Sequence, residues 1–264
     1  MSLPTTGLHD GIDEQEYHGD RASLSSTGAK TLLYEGPRIY KHRLDHPVHK
    51  DAFDLGSVIH ALILGVGEYE VIDADSWRTK AAQEARTTAR AEGRAPVLRK
   101  DYEAAAAMRD EVMANRLAAG ILSEGRPEVS MWHEDPVTGV PMRGRIDWLR
   151  DNAFVDVKSV AGMIHPQKFE RTAWDLHYHF QAAFYQRILA LNGIPDLPPI
   201  WLVVSKEAPH EVLAYQPDQD LMIRAHEDVE LALQQYARCL ETDTWPGLTP
   251  DDQIHTISAP RWAR

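Results

Sequence analysis

Apolar and polar residues alternate along three consecutive stretches near the middle of the chain: PEVSMWHE at 127–134, VPMRGRIDWLR at 140–150 and AFVDVKS at 153–159. Alternation with a period of two marks a strand with one buried face, and the intervening DPVTG and DN segments carry turn residues. The three stretches therefore predict an antiparallel meander. Before it, SLSSTGAKTLLYEG offers Ser and Thr as caps for a short helix, Pro37 opens PRIYKHRLD, and FDLGSVIHALILG is apolar on nearly all sides and ends at a glycine, as a buried helix does. YEVIDA predicts a strand. Between Ser76 and Leu122, two polar, alanine-rich helices broken near GRAPVL read as an insertion or outer layer.

After the meander come a helix at PQKFERTAW, a firmer one at YHFQAAFYQRILALNG, the continuous apolar run PIWLVVS, expected in the middle of a sheet, a partner strand at HEVLAYQ, and a long final helix over 218–241. The order predicts an α/β (α+β) protein whose mixed sheet is flanked by helices. Residues 1–22 show no such periodicity and are expected to form a flexible arm. Residues 23–264 then make one domain, with a helical insertion at about 76–122.

The central hairpin raises the chemical question. A two-residue loop at Asp151-Asn152 places Asp147 opposite Asp156 and Arg145 opposite Lys158. Opposed like charges repel, so something positive must compensate the two aspartates. One answer is structural: Arg145 and Lys158 close a surface salt-bridge cluster. The other is a hard divalent cation on Asp147 and Asp156, with Lys158 beside the water it activates. His60 lies in an apolar helix with Gly56 one turn earlier, Gln181 and Tyr185 are four apart on one helix face, and Glu128 and Ser130 share a strand face. Each of these also has an ordinary role as a satisfied core or surface group.

Composition narrows the choice. Cys239 is the only cysteine, which excludes internal disulfides and a cysteine-ligated iron-sulfur cluster within one chain. Any metal must be held by oxygen and imidazole. No run approaches the roughly 20 apolar residues of a membrane span, and the polar N-terminal stretch lacks the layout of a secretory signal, so no membrane association and a cytoplasmic location are expected. The net charge of -12 argues against a polyanionic partner, but the charge is uneven. Seven Lys or Arg lie between Arg78 and Lys100, whereas eleven acids face two arginines between Glu207 and Asp252. The arginines of the first segment offer a track for a nucleic-acid backbone, or solubility alone.

Read together, GSVIH at 56–60, EVS at 128–130, RID at 145–147, VDVK at 155–158 and YHFQAAFY at 178–185 resemble the PD-(D/E)xK nuclease superfamily, and most of all its RecE-type (exonuclease VIII) domains. Lambda exonuclease and RecB-type nucleases are more distant. The opening SSTGAKTLL and EGPRIY fit the same group, and Ile146-Asp147 stands where the superfamily has Pro-Asp. The resemblance implies a restriction-endonuclease-like core in which Asp147, Asp156, His60, the Val157 backbone carbonyl and Glu128 hold two Mg2+ or Mn2+ ions. Lys158 would be the catalytic lysine, with Gln181 and Tyr185 the Gln-x-x-x-Tyr motif. It further implies 5'-to-3' digestion of one strand at double-stranded DNA ends, a homo-oligomeric ring, and a RecT-type single-strand annealing partner in a phage or prophage setting.

Ser26 and Lys30, near a helix N-terminus, and Arg145 are the candidates for a DNA phosphate, although Ser26 serves equally as an ordinary cap. A related endonuclease, a RecB-like single-strand nuclease and a non-catalytic DNA-end-binding protein are the alternatives.

Overall fold

In the computed structural model, which describes residues 3–47, 51–247, 249 and 254–258, the meander forms as its alternation predicts. In chain order the strands are β1 (Gly7–His9), β2 (Leu24–Ser25), β3 (Tyr69–Ile72), β4 (Ala95–Leu98), β5 (Arg126–Glu134), β6 (Pro141–Leu149), β7 (Phe154–Val160), β8 (Pro199–Ser205) and β9 (Val212–Tyr215). The helices are α1 (Glu14–Gly19), α2 (Ser26–Lys30), α3 (Pro37–Asp45), α4 (Asp51–Leu64), α5 (Lys80–Ala91), α6 (Arg99–Ala114), α7 (Arg116–Leu122), α8 (Pro166–Asp175), α9 (Tyr178–Leu191) and α10 (Gln219–Thr242). A π-helical turn, Thr31–Glu35, continues α2.

The main sheet runs β1-β5-β6-β7-β8-β9, with the two-residue β2 also beside β6. β7 and β8 are parallel, as are β2 and β6, and the other neighbours are antiparallel. Parallel neighbours cannot be joined by a tight turn, so α8 and α9 make the crossover between β7 and β8.

Side-chain alternation divides the core. Val155 and Val157 pack with α4, α6 and α7 on one face of the sheet, while Phe154 packs with α9 and α10 on the other. A third cluster sets Phe169 and Ala173 of α8 against Val160, Trp201 and Val203. The sheet is thus covered on both faces, which is why PIWLVVS is apolar without alternation.

Two expectations about organisation need correction. GRAPVL is not a simple break between helices: Ala95–Leu98 is β4, paired in parallel with β3 in a second, two-stranded sheet. Gly93 and Pro96 look like breakers, but the exchange of backbone hydrogen bonds with Tyr69–Ile72 gives the segment a partner far away in sequence. Nor is 76–122 an outer layer, because Ala105, Met108 and Val112 of α6 are buried against α4 and the valines of β7.

The N-terminal arm is likewise built into the fold. Gly7–His9 pairs with β5 at Ser130–Trp132, and Tyr17 of α1 is buried against Trp132. Arg143 and Arg145 both lie over the Tyr17 ring, at 5.3 and 4.3 Å. Asp20 accepts a hydrogen bond of 3.0 Å from Trp132 Nε1. No periodicity announces this segment because a single aromatic and a few polar anchors do the holding. Truncating the aromatic, Tyr17→Ala, is expected to cost about 3 kcal/mol, read as a lower midpoint in urea unfolding, since it empties a buried site and strips two guanidinium groups of their ring.

Candidate active site

The site follows from a gap in the pairing of β6. Along one edge this strand is paired with β5 from Pro141 to Ile146 and again at Trp148 and Leu149. Along the other it meets β2 only at Met142 and Arg143, and β7 only at Trp148 and Leu149. Residues 144–147 therefore have no strand partner on that side, and β7 turns away to pair with β8 from Phe154 to Val160. The loop at Asp151-Asn152 sets the expected register, with Arg150 N–H bonded to Ala153 O at 2.9 Å, but the ladder stops after two pairs. Opposed side chains on β6 and β7 consequently face across a notch instead of touching.

Gly144 borders this notch and must be glycine: a Cβ there would lie 2.6 Å from Met131 Cε and 2.9 Å from the Tyr185 ring. Its absence lets α9 lie close enough for Gln181 and Tyr185 to reach the sheet.

Four acids, an imidazole and an ammonium gather around the notch. Asp147 Oδ2 accepts from Val157 N–H at 2.6 Å and lies 3.6 Å from His60 Nδ1. Ligand atoms of His60, Glu128 and Asp147 all fall within 4.8 Å of one another. Glu128 reaches them from β5 with a left-handed backbone, φ 50°, a conformation costly for a residue with a Cβ and concentrated at functional sites. Glu14, from α1, accepts a hydrogen bond from Ser57 Oγ of α4 at 3.2 Å and adds its charge to the field on Glu128. A Cβ added to Gly56 would meet nothing within 4 Å, so the space beside this turn of α4 is open.

Asp156 lies across the notch, beside Lys158 rather than within the His60 group. Its Oδ2 is 2.5 Å from Lys158 Nζ, yet receives no well-directed hydrogen bond. Gln181 ties this half together: Oε1 accepts from Lys158 Nζ at 3.0 Å, and Nε2 donates to Asp156 Oδ1 at 3.3 Å and to the Tyr185 hydroxyl at 3.1 Å. The aromatic face of Tyr178 lies 4.5 Å from Nζ.

These charges perturb one another. Burial pushes the Asp147 carboxyl up to about 7; His60 and Lys158 oppose the shift, and Asp156 and Glu128 add to it. Burial raises Glu128 as well, against the pull of His60 and Arg145. Lys158 is raised: burial works against its charge, but Asp156 and Asp147 outweigh burial. Lys158 beside Asp156 and Arg145 at the edge of Glu128 do not neutralise all of these convergent carboxylates. The donor set of carboxylate oxygens and imidazole suits a hard divalent cation.

The remaining candidates fall on either side of this constellation. The four-membered salt-bridge cluster does not form, because Arg145 turns away from Lys158. Its Nε donates to Ser130 Oγ at 2.8 Å, a terminal nitrogen donates to Ile12 O at 2.8 Å, and Glu128 is 3.8 Å away. Arg145 is thus largely occupied within the fold. Ser26 is buried and is not the cap of α2; Ser25 Oγ takes that role, accepting from Gly28 N–H at 3.1 Å. Lys30 lies near the site, its ammonium pushed down to about 8 by burial and by Lys158, with Asp156 opposing.

The basic stretch is mostly spent on local pairs: Arg90 with Asp54, Arg94 with Glu70 and Glu92, and Arg99 with Asp73. Tyr178 and Glu14 were not among the sequence candidates. Tyr178 carries a sequence signal, standing three residues before Gln181 on the same helix face. Glu14 carries none, since only the folding of the N-terminal segment brings it to α4.

A sheet opened between two strands, with acids, a lysine and a glutamine around the gap, defines the PD-(D/E)xK nuclease class of fold. The chain belongs to the family described as PDDEXK-like domain of unknown function (DUF3799), whose model matches residues 37–251. It is also similar to the crystal structure of a "putative exonuclease" from Eubacterium rectale, with a TM-score of 0.67 at 14% identity over 96% of this chain and 97% of that one. At this identity the likeness is one of fold. No curated protein matches the sequence. Among the described residues no helix is long and apolar enough to cross a membrane.

Proposed function

We propose that this protein is a divalent-metal-dependent exodeoxyribonuclease of RecE type that digests one strand of linear double-stranded DNA. The observation that carries the reading is the meeting of Glu128, Asp147, Asp156 and His60, drawn from three neighbouring strands and α4, at the one place where β6 lacks a partner toward β7. The fold-level likeness to a protein described as a putative exonuclease supports it.

His60, Glu128 and Asp147 would hold one ion, and Asp156 with the Val157 carbonyl would complete the set for a pair. Because an extended residue's N–H and C=O leave the strand on the same side, the Val157 N–H bond to Asp147 puts its carbonyl toward β6 as well. Bound there, Mg2+ or Mn2+ would supply charge against the scissile phosphate and acidify a water. The chain's own part is positioning. Lys158 keeps its proton, which suits it to donate hydrogen bonds to the attacking water or to a phosphate oxygen and to oppose charge that builds as the bond breaks. Gln181 holds Lys158 and Asp156 in register, and the Tyr185 hydroxyl holds Gln181. Lys30, close to Lys158, would receive the phosphate of the strand end.

Incubating the protein with linear duplexes labelled at the 5' or the 3' end, and with covalently closed circles, with and without Mg2+, tests the reading. Loss of the 5' label from linear DNA, intact circles and no digestion in EDTA are expected. Cutting of closed circles would make it an endonuclease instead, and binding to ends without any cutting would make it a non-catalytic end-binding protein.

A further inference from the structure

Beyond the notch, on the side of α9 where Tyr178 and Lys30 lie, rings and cations alternate. The Tyr34 and His177 rings stack in parallel, 3.6 Å apart and 4° from coplanar. Lys30 lies close enough to both His177 and Lys158 for its charge to act on each of them. One step further, Trp174 of α8 stacks on His179 at 5.0 Å and 13°. His179 is buried on the first turn of α9, the helix that also carries Gln181 and Tyr185, so the indole is fixed to the frame of the reaction centre.

With its inner face on the imidazole, Trp174 still leaves 52% of its surface to solvent, and Leu176 beside it leaves 51%. Large apolar side chains are expensive to leave exposed together unless they meet something. Lys168, Arg171 and Trp174 follow one another at intervals of three along α8, all exposed. Neither cation has an ion-pair partner among the described residues, in contrast to Arg90, Arg94 and Arg99. Glu170 and Asp175 share the helix, but their charge falls on Tyr215 and on His177, respectively.

We infer that Trp174 is a stacking platform for a base of single-stranded nucleic acid leading to or from the notch, with Arg171 and Lys168, successive turns back along α8, meeting the phosphates on one side of that base. The inference rests on the nuclease reading above and specifies how that site would handle its strand. Every base has a π-face, so an aromatic platform beside a row of cations grips a strand without reading its sequence.

The test is binding, not cutting. Fluorescence anisotropy in EDTA with a labelled oligothymidylate of about twelve nucleotides, and with an abasic strand of the same length, compares wild type with Trp174→Ala and Trp174→Phe. Trp174→Ala is expected to weaken the thymidylate about ten-fold or more while leaving the abasic strand unchanged, and Trp174→Phe is expected to recover most of the loss. Unchanged thymidylate binding in Trp174→Ala, or equal weakening of both strands, would overturn the platform. A wild-type protein that digests duplex DNA in Mg2+ yet fails to bind the thymidylate also overturns it, while leaving the nuclease reading standing. A protein that neither binds nor cuts sinks both.

Discussion

Asp156→Asn is expected to lower the Mg2+-dependent digestion rate by at least about 10³-fold while leaving the protein folded. The carboxylate would serve two groups at once. One oxygen faces Lys158 and the other takes a hydrogen bond from Gln181, so its charge fixes the ammonium as well as contributing to the metal set. Removing a single preorganised donor from a reaction centre commonly costs about 10²–10³-fold, and a charge shared between lysine and metal should cost more.

Asp156→Ala makes the useful companion. Both substitutions leave Lys158 without its counter-ion, a loss of order 3 kcal/mol, but Asp156→Asn keeps a side-chain oxygen that can accept from the ammonium, so the urea midpoint of Asp156→Ala should fall further. Single-turnover rates and unfolding midpoints measured on both variants separate chemistry from stability. Digestion by Asp156→Asn at more than about a tenth of the wild-type rate would remove Asp156 from the reaction centre.

The geometry behind this prediction was only partly legible in the sequence, and the reason lies in range. Alternation along 140–150 and 153–159 together with an Asp-Asn turn is a local signal, and it sets the register at Trp148 with Val155 and Leu149 with Phe154. His60, Asp147 and Glu128 were nameable because each is a polar residue where its element should be apolar or evenly alternating. What local signals cannot reveal is where a ladder ends. The notch depends on Leu24 and Ser25 pairing with Met142 and Arg143, a two-residue contact across more than half the sheet's span of chain, with no periodicity of its own.

For the same reason the hairpin register alone puts Arg145 opposite Lys158, whereas it is held by Ser130 and the backbone of Ile12, and GRAPVL reads as a break although Tyr69–Ile72 completes it as a strand. Pattern shows which face of a strand is apolar. It does not show which edge is left bare, because that is decided by competition among partners distant in sequence.

The bare edge also explains the second large effect, which concerns the protein without metal. Asp147 and Glu128 stand on neighbouring strands with their oxygens crowded against His60, and Asp147 is buried. A cation bound there would relieve the repulsion, so saturating Mn2+ should stabilise the wild type. At a hundred-fold excess over Kd the gain is about 2.7 kcal/mol. For a chain of this size that corresponds to a rise in Tm of roughly 5–10 °C.

Asp147→Asn should abolish that rise. Its side-chain carbonyl can still accept from Val157 N–H, so the bond at 2.6 Å that bridges β6 to β7 has a replacement, while the like charge facing Glu128 and Asp156 is gone. The variant in EDTA is therefore expected to melt at or slightly above the wild type in EDTA, and to show no shift with Mn2+. Differential scanning calorimetry with and without Mn2+ reads both quantities in one experiment. A variant that melts well below the metal-free wild type would mean that Asp147 is chiefly a structural bridge. One that keeps the full Mn2+ shift would mean that the ion lies elsewhere.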